Sequence, residues 1–242
     1  MDNARLAESL TSWVRERVTA GGCKGVVVGM SGGLDSSVAA VLCQRAFPGG
    51  TLGVIMPCYS RKEDGEHARA AAGRFSIPTR VVELDGVFDT LLKALPAGEG
   101  DPGASRLAEA NLKVRLRMLT LYYFANRLGY MVVGAGNRSE LSTGYFTKYG
   151  DGGVDILPLG SLVKGQVKEL AHFLEIPREI IEKPPSAGLW EGQTDEEELG
   201  LSYEELDRYL VSGEADKELR SRIEAMMAAA GHKRQPPPVA QY

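Results

Sequence analysis

Residues 31 to 37, with the sequence S-G-G-L-D-S-S, combine glycines with hydroxyl groups and one carboxylate. Glycine lets a backbone approach a ligand closely, while serine and aspartate favour a helix N-terminus, where free N–H groups and the helix dipole attract anions. A β-branched run at 26–28 predicts a buried strand before this loop, and apolar residues at helical spacing predict a helix after it. The loop therefore predicts a phosphate ligand.

Other interpretations compete for the same residues. A Walker-type loop needs a Gly-Lys-Ser/Thr ending, which is missing, and a dinucleotide fingerprint needs a different glycine spacing. Residues 29–33 do spell the G-x-S-x-G of a hydrolase nucleophile elbow. That fold builds strands and an oxyanion loop before its serine, whereas residues 1–24 have the pattern of one amphipathic helix. A hydrolase elbow and a simple structural turn remain the alternatives to phosphate binding.

A second polar loop, "GAGNRSELSTGYFTKYGDGG", follows Val133 and contains Glu140. Asp35 and Glu140 thus each follow a predicted strand. Carboxylates and phosphates repel each other, so their pairing favours a magnesium ion between them, because Mg²⁺ prefers oxygen ligands and bridges carboxylates to phosphates. The alternatives are that Asp35 caps its helix and that Glu140 is a solvated charge.

The elements that must position these loops alternate along the chain. Apolar strands are predicted at 25–30, 51–56, 79–84 and 130–135, helices at 37–47, 63–75 and 105–128, and a fifth strand at 154–159. This alternation predicts an α/β fold with an open, mostly parallel, doubly wound five-stranded sheet in a single domain. Right-handed crossovers place strands two and three on one side of the first strand and strand four on the other. The two polar loops should then face each other beyond the strand ends.

Composition limits the class of protein. The chain has 242 residues, of which 43% are hydrophobic and 25% charged, as expected of a soluble globular domain. It shows neither a membrane-spanning apolar run nor a signal-peptide core, so we expect a cytoplasmic protein. The net charge of -4 disfavours binding to nucleic acid. Cys23, Cys43 and Cys58 form no CxxC, which disfavours a disulfide framework or a zinc site.

The motif "SGGLDSS" resembles the pyrophosphatase loop (PP-loop) of the adenine-nucleotide α-hydrolase superfamily, whose members split ATP between its α and β phosphates. This motif alone does not choose among the members. The segments "GYFTKYGDGGVDILPL", "EKPPSAGLW", "DEEELGLSYEELDRYL" and "HKRQ" resemble the NAD synthetases. Together they extend the resemblance over nearly the whole chain.

The resemblance implies ATP-dependent amidation of deamido-NAD with ammonia, which gives NAD, AMP and pyrophosphate through an acyl-adenylate. ATP is the co-substrate and Mg²⁺ the metal. Because the chain has no room for a separate glutaminase domain, we expect free ammonia, or ammonia from a separate subunit, as the nitrogen donor. The family also implies a homodimer packed around the helix at 105–128.

The same resemblance assigns the site residues. The implied ATP contacts are Gly29, Ser31, Gly32, Gly33, Asp35, Ser36, Ser37, Lys164 and Ser186, and the implied metal ligands are Asp35 and Glu140. The implied deamido-NAD contacts are Arg115, Tyr145, Lys148, Asp155, His232 and Lys233. The implied catalytic residues are Asp151, Lys164 and Ser186, with Asp151 helping ammonium to lose a proton. Ala135 stands where the family usually has threonine.

The residues by themselves leave ordinary alternatives open. Asp151 lies between glycines that also suit a turn, Lys164 opens a helix where lysine is commonly solvated, and His232 also fits a solvated tail. Two rival classes remain, namely another PP-loop enzyme, such as an amide synthetase or a sulfur-transferring tRNA modifier, and a nucleotide-binding module without chemistry. Composition also leads us to expect that residues 96–105 and 186–200 order over bound substrate.

Overall fold

Four short parallel strands form the centre of the computed structural model. They are β1 (Val26–Gly29), β2 (Thr51–Ile55), β3 (Thr79–Val81) and β4 (Met131–Val133). Their order is β3-β2-β1-β4, and Val27 of β1 pairs with Leu52 on one side and Val132 on the other. The predicted strand order is confirmed, and β1 and β4 are neighbours.

Helices cover both faces of this sheet. They are α1 (Asn3–Ala20), α2 (Leu34–Ala46), α3 (Lys62–Arg74), α4 (Asp85–Ala94), α5 (Pro102–Leu128), α6 (Arg138–Thr143), α7 (Lys164–Phe173), α8 (Arg178–Ile181), α9 (Asp195–Leu199), α10 (Tyr203–Ser212), α11 (Lys217–Ala229) and α12 (Gly231–Arg234). Successive strand residues point to opposite faces, so Val28 packs in the core of α1, α2, α3 and α7, whereas Val27 packs in that of α4 and α5. The α/β class with a parallel sheet is therefore confirmed.

The predicted fifth strand is wrong. Residues 154–159 make one isolated parallel bridge, between Ile156 and Val133, instead of a strand. The reason lies at Val132, whose N–H donates to the carboxylate of Asp155 at 2.8 Å rather than to a neighbouring strand carbonyl. Pro158, which has no N–H, cannot extend the ladder. The sheet therefore has four strands.

The structure describes residues 2–96, 102–186, 188, 190 and 192–241. The stretches expected to order over substrate fall partly on positions 97–101, 187, 189 and 191, which lie outside the described residues. Among the helices that are described, none combines the length and apolarity needed to cross a bilayer.

Close approach of the chain before β1 explains Gly25. A Cβ atom at this position would lie 2.1 Å from the carbonyl oxygen of Gly50 and 2.8 Å from the ring of Tyr130. The same Gly50 carbonyl accepts the N–H of Val26 at 2.8 Å, so it cannot move away without breaking the first rung between β1 and the chain before β2.

We expect Gly25→Ala to lower the free energy of unfolding by about 2 kcal/mol or more, because the added methyl group meets backbone atoms. Gly49→Ala is the matched control, since a Cβ there has no neighbour within 4 Å. Urea denaturation of both variants measures the difference. Equal stabilities would show that the strands can separate at little cost.

Candidate active site

The loop after β1 is held in shape by its own hydroxyl groups. Ser31 and Ser36 are joined by a hydrogen bond of 2.9 Å between their Oγ atoms, and Ser36 and Ser37 both donate to the carbonyl of Gly33. Gly32 has φ of +78°, and a Cβ there would lie 2.1 Å from a backbone oxygen of Asp64. Glycine is therefore required at this turn.

The N-terminus of α2 is open to an anion. Its N-cap is Gly33, and no described side chain caps the helix. The alternative that Asp35 caps α2 is thus wrong. Because the first turn of a helix carries unpaired N–H groups and the positive end of the dipole, this loop is suited to a phosphate.

Asn137, which sequence reasoning missed, joins the loop after β4 to the loop after β1. It is fully buried, its Nδ2 donates to Asp35 Oδ1 at 3.0 Å, and its Oδ1 accepts the N–H of Glu140 at 3.0 Å. The Glu140 carboxylate accepts the Asn137 N–H in return at 3.1 Å, which completes a capping box at the start of α6. The N-x-x-E spacing was the signal that could have found this residue.

Lys164 lies between the two carboxylates that the sequence pairs. Its Nζ is 2.5 Å from Asp35 Oδ2 and 3.2 Å from Glu140 Oε1. The residue is only 8% exposed, and the ring of Tyr203 lies 5.1 Å from the ammonium nitrogen. Lys164 is therefore a buried member of the site, and the alternative of a solvated lysine is wrong.

The start of α7 is fixed by residues that the sequence did not single out. The backbone N–H of Lys164 donates to Ser139 Oγ at 3.1 Å, and that of Gly165 donates to Asp207 Oδ2 at 2.7 Å. Ser139 Oγ in turn donates to Asp207 Oδ1 at 2.6 Å. Helices α6, α7 and α10 are thereby connected, which orients the Lys164 side chain toward the two carboxylates.

Burial and charge oppose each other in this group. Burial raises the pKa of Glu140 to about 7, although the Lys164 ammonium lowers it, and Asp35 raises it further. Burial also lowers the pKa of Lys164, but the charges of Asp35 and Glu140 outweigh burial and the pKa of Lys164 is raised. Lys164 therefore remains a cation at neutral pH.

A cavity of about 1100 Å³ opens beyond the carboxyl ends of the strands. Of the residues assigned from the sequence, it is lined by Gly29, Ser31, Gly33, Asp35, Ser36, Glu140, Tyr145, Asp151, Lys164, Ser186 and Lys233. The remaining ones, which do not line it, are Gly32, Ser37, Arg115, Lys148, Asp155 and His232. The phosphate loop and the loop after β4 thus share one cavity.

Asp151 takes part in a turn and also lines the cavity. Its Oδ1 accepts the N–H of Thr147 at 2.7 Å, which closes the local turn, and the residue also lines the cavity. Desolvation by the surrounding protein raises the pKa of Asp151 above its usual range, while the N–H donated by Thr147 lowers it. A carboxylate with a raised pKa accepts a proton more readily.

The residues assigned to deamido-NAD fall into separate groups. Arg115 donates to the Lys148 carbonyl at 3.3 Å, and Lys148 Nζ donates to the His232 carbonyl at 2.6 Å. These three residues form a group outside the cavity, in which Arg115 and His232 are exposed and Lys148 is half-buried. Lys233 faces inward, where its Nζ donates to the carbonyl groups of residues 144 and 146. Asp155 is separate again and accepts the Tyr122 hydroxyl at 2.9 Å.

Ser186 lies on the rim of the cavity, where its Oγ donates to the carbonyl of Gln193 at 2.7 Å and accepts the Gly188 N–H at 3.1 Å. The Ser186 hydroxyl therefore joins residues 186, 188 and 193 at the wall of the cavity.

A family profile described as NAD synthase matches residues 6–237. The chain belongs to the NAD synthase family. The resemblance found in the sequence is thereby confirmed. The chain is 49% identical to the NH(3)-dependent NAD(+) synthetase of Carboxydothermus hydrogenoformans, over 96% of this chain and 95% of that protein. It is 45% identical to the enzyme of that name from Archaeoglobus fulgidus, over 100% of this chain and 98% of that protein.

Two solved structures match this chain over its whole length, and each match covers 100% of both chains. The NMN synthetase from Francisella tularensis has a TM-score of 0.94 and 32% identity. The NH3-dependent NAD synthetase from Campylobacter jejuni has a TM-score of 0.81 and 27% identity. The fold described above is thus that of the NAD synthase family.

Replacing Lys164 by methionine leaves Asp35 and Glu140 as buried carboxylates without their cation. Burial already raises the pKa of Glu140, and loss of the Lys164 charge that lowers it should raise it further above its value in the unfolded chain, so the folded state binds more protons. We expect stability to be retained at about pH 5 and to fall as the pH rises to about 8, where the loss reaches about 3 kcal/mol.

Denaturant titrations across this pH range measure the effect. The double variant Asp35→Asn, Lys164→Met is the control, since removal of one carboxylate should flatten the pH dependence. A loss of equal size at every pH would contradict the electrostatic explanation.

Proposed function

We propose that this chain is an ammonia-dependent NAD synthetase, which converts deamido-NAD, ATP and ammonia into NAD, AMP and pyrophosphate. The observation that carries this proposal is the shared cavity, in which the open N-terminus of α2 lies beside Lys164, Asp35 and Glu140. Similarity over nearly the full length to enzymes named for this reaction supports it.

The reaction needs ATP because a carboxylate is a poor electrophile. In the proposed mechanism an oxygen of the nicotinate carboxylate attacks the α-phosphorus, pyrophosphate leaves, and an acyl-adenylate forms. The N–H groups at the start of α2 bind the leaving pyrophosphate, and the Lys164 ammonium contacts its oxygen atoms. Such positioning and charge stabilisation provide most of the catalysis in phosphoryl chemistry.

Asp35 and Glu140 fit a magnesium site that substrate completes. Both carboxylates lie within 3.2 Å of Lys164 Nζ, so a metal would bind between them once that ammonium has moved to the phosphate oxygens. Among the described residues, no cluster of three or more His, Cys, Asp or Glu side chains could hold a metal ion, so phosphate oxygens would supply further ligands. Mg²⁺ held by Asp35 and Glu140 would neutralise charge on the phosphates.

Asp151 fits the second half of the reaction. Ammonium has no free lone pair, so it must lose a proton before its nitrogen can attack the acyl carbon. The Asp151 carboxylate, which lines the cavity and has a raised pKa, takes this proton as a general base. AMP then leaves with the electron pair of the broken C–O bond.

A mononucleotide substrate is the second candidate. The Francisella tularensis NMN synthetase superposes with a TM-score of 0.94, against 0.81 for the Campylobacter jejuni NAD synthetase. An enzyme that makes NMN by amidation acts on the acid of the mononucleotide, which carries the same nicotinate carboxylate. The proposed chemistry is therefore the same for both substrates.

A homodimer is proposed on the basis of α5. Leu107, Leu119 and Tyr123 of this helix are 57%, 59% and 55% exposed. Arg115 of α5 is also exposed and lies outside the cavity, as expected if a second subunit completes the dinucleotide site.

Sedimentation should therefore show a dimer for the wild type and a monomer for Leu119→Glu, because a charge in the apolar contact would be desolvated without a partner. Leu95→Glu, at a similarly exposed leucine on a different helix end, is the control. A wild-type monomer at all concentrations would contradict the proposed dimer.

Incubation with ATP, Mg²⁺, ammonium and deamido-NAD should yield AMP, pyrophosphate and NAD in equal amounts, because each amide consumes one adenylate. A parallel reaction with nicotinate mononucleotide compares the two candidate substrates by kcat/KM. We expect glutamine to be inactive in place of ammonium. Consumption of ATP without an amide product from either acid would contradict the proposed function.

Asp151→Asn should lower kcat by about 100-fold or more near neutral pH, because the variant cannot take the proton from ammonium. The deficit should shrink as the pH rises, since the fraction of free ammonia then increases without a base. Asp89→Asn, which removes a carboxylate bonded to the Tyr59 hydroxyl outside the cavity, is the control. A deficit that stays constant with pH would assign Asp151 to the turn alone.

A further inference from the structure

Arg117 of α5 lines the cavity, and its guanidinium contacts uncharged acceptors. Nε donates to the Met56 carbonyl at 3.2 Å, and one Nη2 hydrogen is donated to Ser60 Oγ at 3.1 Å. Two other cations of the cavity are already neutralised, because Lys164 is paired with two carboxylates and Lys183 with Asp64. Within the described parts of the chain, Arg117 has no such ion pair.

Arg117 retains unused donors. A guanidinium has five N–H groups in a planar fork and remains charged at any physiological pH. Two of these groups are used for Met56 and Ser60, which leaves three. Arg117 is half-buried, and desolvation lowers the pKa of its guanidinium. A desolvated guanidinium without a direct ion pair is costly, and the charges of Asp151 and Asp64 offset only part of the desolvation, so an anionic ligand would relieve the remaining penalty.

The position of Arg117 indicates which anion it takes. Arg117 and Asp151 line the same cavity. Desolvation raises the pKa of Asp151, and the charge of Arg117 is one of the causes that lower it. The phosphates are already assigned to another part of the cavity, namely the start of α2 and the Lys164 ammonium. The group that must lie near Asp151 is the acyl group, because ammonia attacks its carbon.

We propose that Arg117 binds the carboxylate of the nicotinate substrate through its free Nη donors and orients it for attack on ATP. This inference rests on the proposed amidation, and it applies equally to a dinucleotide or a mononucleotide acid. It assigns Arg117, which the resemblance did not single out, to substrate recognition. Two residues earlier on the same helix, Arg115 lies outside the cavity.

The bonding changes are balanced. One carboxylate oxygen forms a bond to the α-phosphorus, and the bond between the α-phosphorus and its bridging oxygen breaks, so pyrophosphate leaves with the electron pair. Arg117 keeps the other oxygen, which becomes the acyl oxygen and gains negative charge when ammonia attacks. The attacking nitrogen then releases its third proton to solvent, expulsion of AMP restores the carbonyl, and the amide product offers Arg117 a neutral oxygen.

The test compares binding of the acid and of the amide, in calorimetric titrations without ATP. We expect Arg117→Gln to weaken deamido-NAD binding about 10-fold to 100-fold, as for loss of a charged hydrogen bond, and to change NAD binding less than about 2-fold. Arg117→Lys, which keeps the charge without the fork, should recover part of the affinity for the acid. Nicotinate mononucleotide and NMN form a second matched pair of probes.

Arg15→Gln is the control, because Arg15 also donates from Nε and Nη2 to backbone carbonyl groups, at residues 46 and 45, but lies outside the cavity. It should leave both affinities unchanged.

If Arg117→Gln weakens the binding of deamido-NAD and of NAD equally, the proposal is overturned. Arg117 would then have a structural role, in which it joins α5 to the chain that follows β2. A rise in the KM for ATP with an unchanged preference for the acid would overturn the proposal in favour of a phosphate contact. Failure of the wild type to amidate either acid would overturn the proposed function itself.

Discussion

The buried contact of Lys164 with Asp35 and Glu140 is the interaction on which the site depends. It joins α2, α6 and α7, whose N-termini all lie at the cavity beyond the strand ends. Two carboxylates beside a phosphate loop would repel one another and their ligand, so a cation must be present before any nucleotide arrives. Lys164 provides that cation from within the chain. These charges therefore hold the starts of α2, α6 and α7 together.

The sheet makes this contact possible, and local hydrogen bonds make it precise. Because β1 and β4 are neighbouring parallel strands, the loops that follow them emerge at the same edge. Asn137 then caps α6 and bonds Asp35 across the gap, while Ser139 and Asp207 hold the start of α7. Each of these polar side chains has a partner, which limits the cost of burying it. In the loop after β1, the hydroxyl groups are likewise paired within the loop, and Gly32 allows the backbone to pass close to residue 64.

Arg115 and Arg117 of helix α5 lie in different environments. Side chains two positions apart on a helix point in nearly opposite directions, so Arg115 faces outward toward Lys148 while Arg117 faces the cavity. The group around Arg115 suits the remote part of a large substrate or a subunit contact. The cavity side suits the reacting carboxylate. One helix can thus contribute to affinity at its outer face and to chemistry at its inner face.

The sequence by itself determined the strand–loop–helix arrangement around residues 31–37, the alternation of strands and helices, the strand order and the proximity of Asp35 to Glu140. These features follow from local residue types, periodicity and the handedness of crossovers, which act over short distances in the chain. Only the tertiary structure decided that Asp155 uses its carboxylate where a fifth strand was expected, that Lys164 occupies the position between the carboxylates, and that the residues assigned to deamido-NAD separate into groups. Each of these outcomes depends on hydrogen bonds and charges between residues far apart in sequence, and such pairings have no local signature.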